Sequence, residues 1–208
     1  MHFFFLLLLS FSSSAAVLVT ATVGQVSDYV VTSREVQISA VIESILYPPK
    51  VGSKAVPELR LGQEAFRGAV TSVLLESVVA LEAENFNVAT ISESNLQAAL
   101  VRVEKATAGK AFWTELDVSP AELKKFMVRK LTAKGFMKFK TNSMASIITD
   151  QDAQAYFDKN RVKFGASTFE SFRDNIKAFL AQQQLEDRLR SWFEVIKRKY
   201  KVRNYISE

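Results

Sequence analysis

The 208-residue chain contains no cysteine. That absence excludes disulfides, a thiol nucleophile, Cys-ligated zinc or iron–sulfur centres and a lipid-modified N-terminal cysteine. Histidine is almost as scarce. The single imidazole is His2, in a segment that reads as removed on export, so the remaining chain has none for a triad, a metal site or a proton shuttle. The seven glycines are scattered one at a time from Gly24 to Gly165 and form no phosphate-cradling loop. Three of the four prolines (Pro48, Pro49, Pro57) fall in one short stretch. No charged side chain precedes Asp28. These gaps remove most enzyme classes, and neither a catalytic residue, a cofactor nor a metal is expected.

What is present is an ordinary globular composition, 48% hydrophobic and 24% charged, with a net charge of +5. The length suits one domain with an extension. The extension is the N-terminus. Phe3 to Leu9 reads FFFLLLL and a Ser/Ala-rich stretch follows to Ala16, the pattern of a secretory signal peptide over residues 1–21. Cleavage fits after Ala16 or Ala21. The n-region lacks Lys and Arg, and the apolar-to-small span from Phe3 to Gly24 is also long enough for an uncleaved anchor. The serines at 10, 12, 13 and 14 make a poor membrane core and favour cleavage.

Residues 22–208 read as one mainly α domain. Val26 to Val31 is a short β-prone run. Thr32-Ser33-Arg34-Glu35 then opens a helix as a capping box, and Tyr47-Pro48-Pro49 closes it. Residues 48–62 read as a loop. The pattern predicts, in order, a helix over about 63–85, a helix from Ser92, a short helix or turn over Ala111–Leu116, a helix from Ser119-Pro120-Ala121-Glu122 and a helix from Thr149-Asp150-Gln151-Asp152. Gly135 is expected to break the fourth of these. The last helix runs from about Thr168 to Tyr200, roughly 45 Å at 1.5 Å per residue. A compact domain of this size is about 35 Å across, so that helix must protrude or span two lobes. Val202 to Ile206 is a second β-prone run. It is expected to pair with Asp28–Val31 and bring the chain ends together.

Charge is unevenly distributed. Residues 1–121 hold 8 Lys/Arg against 12 Asp/Glu, and residues 122–208 hold 19 against 10. The basic half is first a solvated face, with attraction to acidic clients or peripheral contact with an anionic membrane surface as the alternative. The Lys197–Lys201 cluster has the composition of a nucleic-acid patch, but an export signal argues against that partner. The carboxylate pairs Glu82/Glu84, Asp150/Asp152 and Glu186/Asp187 lack any base, nucleophile or metal partner and read as structural or solvated.

The order of these elements resembles the N-terminal chaperone domain of SurA-type periplasmic foldases, a group that includes PrsA- and PpiD-like proteins. The likeness rests on VVTSREV (Val30 to Val36), on ISESNLQAAL and VSPAELKKFMVRKL, and on Thr149, Tyr156, Phe157, Asn160 and Phe164. The resemblance implies a multi-helix chaperone fold with a long C-terminal helix and a small β pairing. In that family a parvulin-type prolyl isomerase domain usually separates the YF-x-x-N segment from the final helix. Here only Arg161 to Thr168 lies between them, too few residues for a domain. The resemblance therefore implies a periplasmic, ATP-independent holdase without isomerase activity. Its expected partners are unfolded or partly folded exported proteins, outer-membrane proteins among them. A periplasmic scaffold that holds one folded partner remains the alternative.

A holdase needs an accessible apolar surface with adaptable side chains, and Met suits that role. The candidate client-binding residues are Trp113, Phe136, Met137, Phe139, Met144 and Trp192, with Phe193 beside the last. The competing assignment for any Met or aromatic at helical spacing is the core.

Overall fold

A computed structural model describes residues 20–48, 58–86, 91–145 and 147–206. The export signal expected over residues 1–21 lies outside these except for Thr20 and Ala21, as does most of the expected loop at 48–62. The fold is mainly helical. A hairpin of β1 (Thr22–Val26) and β2 (Tyr29–Thr32) leads into α1 (Ser33–Leu46). Then come α2 (Glu64–Phe86), α3 (Glu93–Thr107), α4 (Ala111–Glu115), α5 (Pro120–Met144), α6 (Asp150–Lys159), α7 (Arg161–Phe164), α8 (Phe169–Lys199) and a two-residue β3 (Arg203–Asn204).

The sheet is antiparallel in the order β2-β1-β3. The single run expected over Val26 to Val31 is thus a hairpin turning at Ser27, whose φ of 50° lies in the left-handed region. Direct pairing of Asp28–Val31 with Val202–Ile206 does not occur. β1 lies between them, with Gly24 opposite both Val31 and Asn204. Gly24 breaks the β-propensity of β1, which hides the strand in sequence, yet no other residue fits there. A Cβ would sit 2.8 Å from the Arg203 carbonyl oxygen and 2.9 Å from a Leu74 methyl. The two ends of the described chain do meet. The Ser27 N–H donates to the Tyr200 carbonyl at 2.7 Å, and the Tyr205 N–H donates to that of Val23 at 3.0 Å.

The helix starts follow their caps. Thr32, Ser92, Ser119 and Thr149 each accept a backbone N–H three residues on. Only at Thr149 is the reciprocal bond made, with Asp152 accepting the Thr149 N–H at 3.0 Å. Glu35 and Glu122, expected to close the other two boxes, turn instead to Arg129 and Arg34. A guanidinium is a stronger partner for a carboxylate than one backbone N–H.

Apolar side chains form three clusters. The first joins the sheet to α2, the second half of α5 and the end of α8, around Phe66, Val70, Phe136 and Ile196. The second packs α1, α3 and the first half of α5 around Ile38, Ile42, Val103 and Met127. The third is small: Ala153, Phe157 and Ile176, wrapped by half-buried aromatics of α6, α7 and the first turns of α8. α5 passes through the first two clusters without a break. The expected interruption at Gly135 is absent, because a mid-helix Gly costs about 1 kcal/mol whereas burying the neighbouring Phe136 returns more. The 31-residue α8 spans the first and third clusters. Among the described residues no helix is long and apolar enough to cross a membrane.

Candidate functional site

Between α1, α2, α5 and α8 runs an open groove of about 490 Å³. Its floor is made of small side chains, Ala40 from α1, Ala69 and Val73 from α2 and Ala133 from α5. Tyr47, Met137 and Phe193 stand at its rim. Small residues at spacings of three and four let the helices approach while leaving a trough above them.

One wall of the groove is charged and internally satisfied. Lys130 is only 3% exposed. Its ammonium donates to Glu76 at 2.5 Å and to Glu43 at 3.0 Å. Lys134 reaches Glu43 at 3.1 Å and lies 4.2 Å above the Tyr47 ring. Burial alone would raise the Glu43 pKa, but Lys130 and Lys134 outweigh it and hold the carboxyl below its ordinary value. Behind Lys130, Arg129 binds Glu76 at 2.8 Å and also Glu35. Desolvation works against that cation, yet the two carboxylates prevail and raise its pKa. Tyr29 donates to Glu35 at 2.8 Å, and its phenol is pushed up by burial and then by the Glu35 charge. Three cations, Arg129, Lys130 and Lys134, thus face three carboxylates, Glu35, Glu43 and Glu76, and the wall presents matched pairs rather than a net field.

The six sequence candidates do not form one surface. Met137 lines the groove, and Phe193 joins it there. Phe136 is fully buried and Trp192 is 9% exposed, so both are core residues rather than parts of an accessible surface. Their aromatic rings pack 6.1 Å apart. Each is large and apolar on the inward stripe of its helix, and burial wins over exposure. Phe139 is 40% exposed beside Phe136, outside the groove. Met144 is half-buried at the end of α5, where Arg188 donates to its carbonyl. Trp113, on α4, is half-buried against the second cluster.

Within the carboxylate pairs, Glu82, Asp150 and Asp152 are occupied structurally. Glu82 is buried, accepting from Lys199 at 2.6 Å and from the Tyr200 hydroxyl at 2.7 Å. Asp150 pairs with Lys177 at 2.6 Å, and Asp152 caps α6. Among the described residues no group of three or more His, Cys, Asp or Glu side chains is disposed to hold a metal ion.

Sequence reasoning missed the groove floor. Its signal is the recurrence of small residues on one face, Ser39, Ala40 and Ser44 on α1 and Ala69, Ser72 and Val73 on α2. Small residues at helical spacing mark close packing as often as a trough, so the pattern is read only once the helices are placed. No protein-family model, curated protein or solved structure matches this chain, and the functional reading rests on its geometry.

Proposed function

We propose that the protein is an ATP-independent periplasmic holdase, similar to SurA-type chaperone domains and without prolyl isomerase activity. It takes apolar segments of unfolded or partly folded exported proteins into the groove between α1, α2, α5 and α8. The groove is the observation that carries the reading: an open, apolar trough of about 490 Å³ with an unbranched Met and two aromatic side chains at its rim. Its charged wall is paired within the protein, so a guest needs no particular charge and can vary in sequence. Outside the trough the rings of Phe86 and Phe139 are exposed and both pack against Phe136. Binding of this kind is a simple equilibrium and requires neither nucleotide nor metal. Cleavage of the export signal after Ala16 preserves Ala21, whose N–H and carbonyl both bond Ser33.

The test is suppression of light scattering by several unrelated unfolded proteins without ATP. Wild type is expected to suppress aggregation broadly, and Ala69→Trp, which fills the trough, is expected to lose most of that effect while keeping its helical circular dichroism. Equal suppression by the filled variant would remove the groove from the mechanism. Failure with every unfolded protein, together with capture of one native partner, would favour the periplasmic scaffold instead.

A further inference from the structure

A second cavity, of about 270 Å³, opens on another face of the α2–α5 pair. Ser77, Ala80 and Leu81 of α2 line it together with Lys125, Val128 and Arg129 of α5. Among the described residues two buried side-chain polar atoms have no hydrogen-bond partner, Ser77 Oγ and Arg129 Nη2, and both residues belong to this wall. A guanidinium has five N–H groups. Arg129 uses Nε on Glu76 and Nη1 on Glu35 and the Tyr29 hydroxyl, which leaves both N–H groups of Nη2 unmatched. Buried donors left without an acceptor are costly and rare in folded proteins.

Charge selects among the acceptors that would fit. In the buried block behind the cavity, Arg129 and Lys130 are balanced by Glu35 and Glu76. A carboxylate would bring a third anion to a cation already shared by two. A neutral carbonyl oxygen adds no charge and still accepts from Nη2 and from the Ser77 hydroxyl. The rest of the wall is mixed: Ala80, Leu81 and Val128 are apolar, Tyr29 and Thr132 bring hydroxyls, and Lys125 and Glu84 bring opposite charges that leave the balance unchanged, while the volume lies just under the roughly 300–1,000 Å³ typical of drug-sized ligands. Both orphan atoms are buried behind the cavity surface, so a guest that reaches them must displace neighbouring side chains of the lining.

We propose that this cavity is a binding site for a small neutral carbonyl group on an apolar stem, accepted by Arg129 Nη2 and Ser77 Oγ. It stands apart from the groove and does not depend on the chaperone reading. A free small molecule and the main chain of a bound peptide share this chemistry. Benzamide and the blocked residue acetyl-leucine-amide distinguish them, with benzoate as the charged control. In NMR titrations of the intact protein, benzamide or acetyl-leucine-amide is expected to shift amides of 77–84 and 125–132 saturably, and whichever binds more tightly identifies the source. Benzoate is expected to bind at least about tenfold more weakly. Val128→Trp, at a 37% exposed position on the cavity wall, is expected to abolish the shifts. Ser77→Ala, which cannot overpack the site, is expected to weaken binding several-fold. Absence of saturable shifts with both neutral probes overturns the proposal, as does benzoate binding as tightly as benzamide or an unchanged response in both variants.

Discussion

Arg34 connects the first helix to the first turn of α5 and to the loop before it with its whole guanidinium. Nη1 and Nη2 grip the two oxygens of Glu122 at 2.5 and 2.8 Å, while Nε and Nη2 also donate to the carbonyls of Leu116 and Asp117. Lys has neither the fork nor the donors to replace it. Arg34→Lys is therefore expected to lower stability by about 1–2 kcal/mol in urea denaturation, close to the loss in Arg34→Ala; full retention would mean that the bidentate geometry contributes nothing. The Arg34 hydrogen bond also holds the Glu122 carboxyl below its ordinary value of 4.5. Glu82 is likewise held low, because Lys199 and Tyr200 outweigh the opposing effect of burial. Lowered carboxyls stabilise the fold above their unfolded pKa, and the contribution disappears as pH falls through the folded value. The urea midpoint is expected to be flat around neutrality and to fall below about pH 4.5, with a shallower fall in Glu122→Gln. A midpoint that rises on acidification would contradict this assignment. At Gly24 the limit is steric. Gly24→Ala places a methyl against the Arg203 carbonyl and is expected to cost about 1–3 kcal/mol.

At the scale of elements, the starts were readable and the interiors were not. Thr32, Ser92, Ser119 and Thr149 cap the helices that their sequences announce, since a cap is a local interaction over three residues. Whether a helix survives a glycine is a tertiary question. α5 continues through Gly135 because Ala133 and Phe136 on either side of it are buried in the first cluster. Gly135 itself is exposed, its φ is not positive, and a Cβ there would meet nothing within 4 Å. Gly135→Ala is accordingly expected to stabilise the protein by about 0.5–1 kcal/mol, measured as a raised urea midpoint with an unchanged slope. Destabilisation would mean that α5 is not continuous. The β1 strand was invisible for a related reason: a Gly at its centre lowers local propensity, and only the close approach of β3 explains why it is there.

The molecule as a whole is held by two long helices, each shared between clusters. The third cluster is the weakest. Only Ala153, Phe157 and Ile176 are buried in it, and its other rings, such as Tyr156 and Phe164 at 6.4 Å, are only partly buried. Regions with little buried apolar surface open at lower free energy. Amide exchange is expected to be faster over 150–180 than over 64–86, and Ile176→Ala is expected to accelerate the first region alone. Uniform protection across both would show that α8 couples them into one cooperative unit. This scale also decided the candidate site. The stripe carrying Phe136, Met137 and Phe139 was apparent from its spacing, but the helix turns one of them into the core, one into the groove and one to solvent. Periodicity gives the faces of a helix without stating which neighbour covers each face.

Sequence alone determined the mainly helical class, the helix caps, the prolines that end α1 and the excessive length of α8, all of which depend on interactions within a few residues or on chain geometry. Only the tertiary structure decided that β1 intervenes between the terminal runs, that Glu35 and Glu122 leave their caps for arginines, and that the open surface is floored by alanines rather than built from tryptophan and phenylalanine. Those outcomes depend on which distant residue arrives as a partner. Large apolar side chains gain most from being covered, so the trough left over is formed where side chains are too small to fill it.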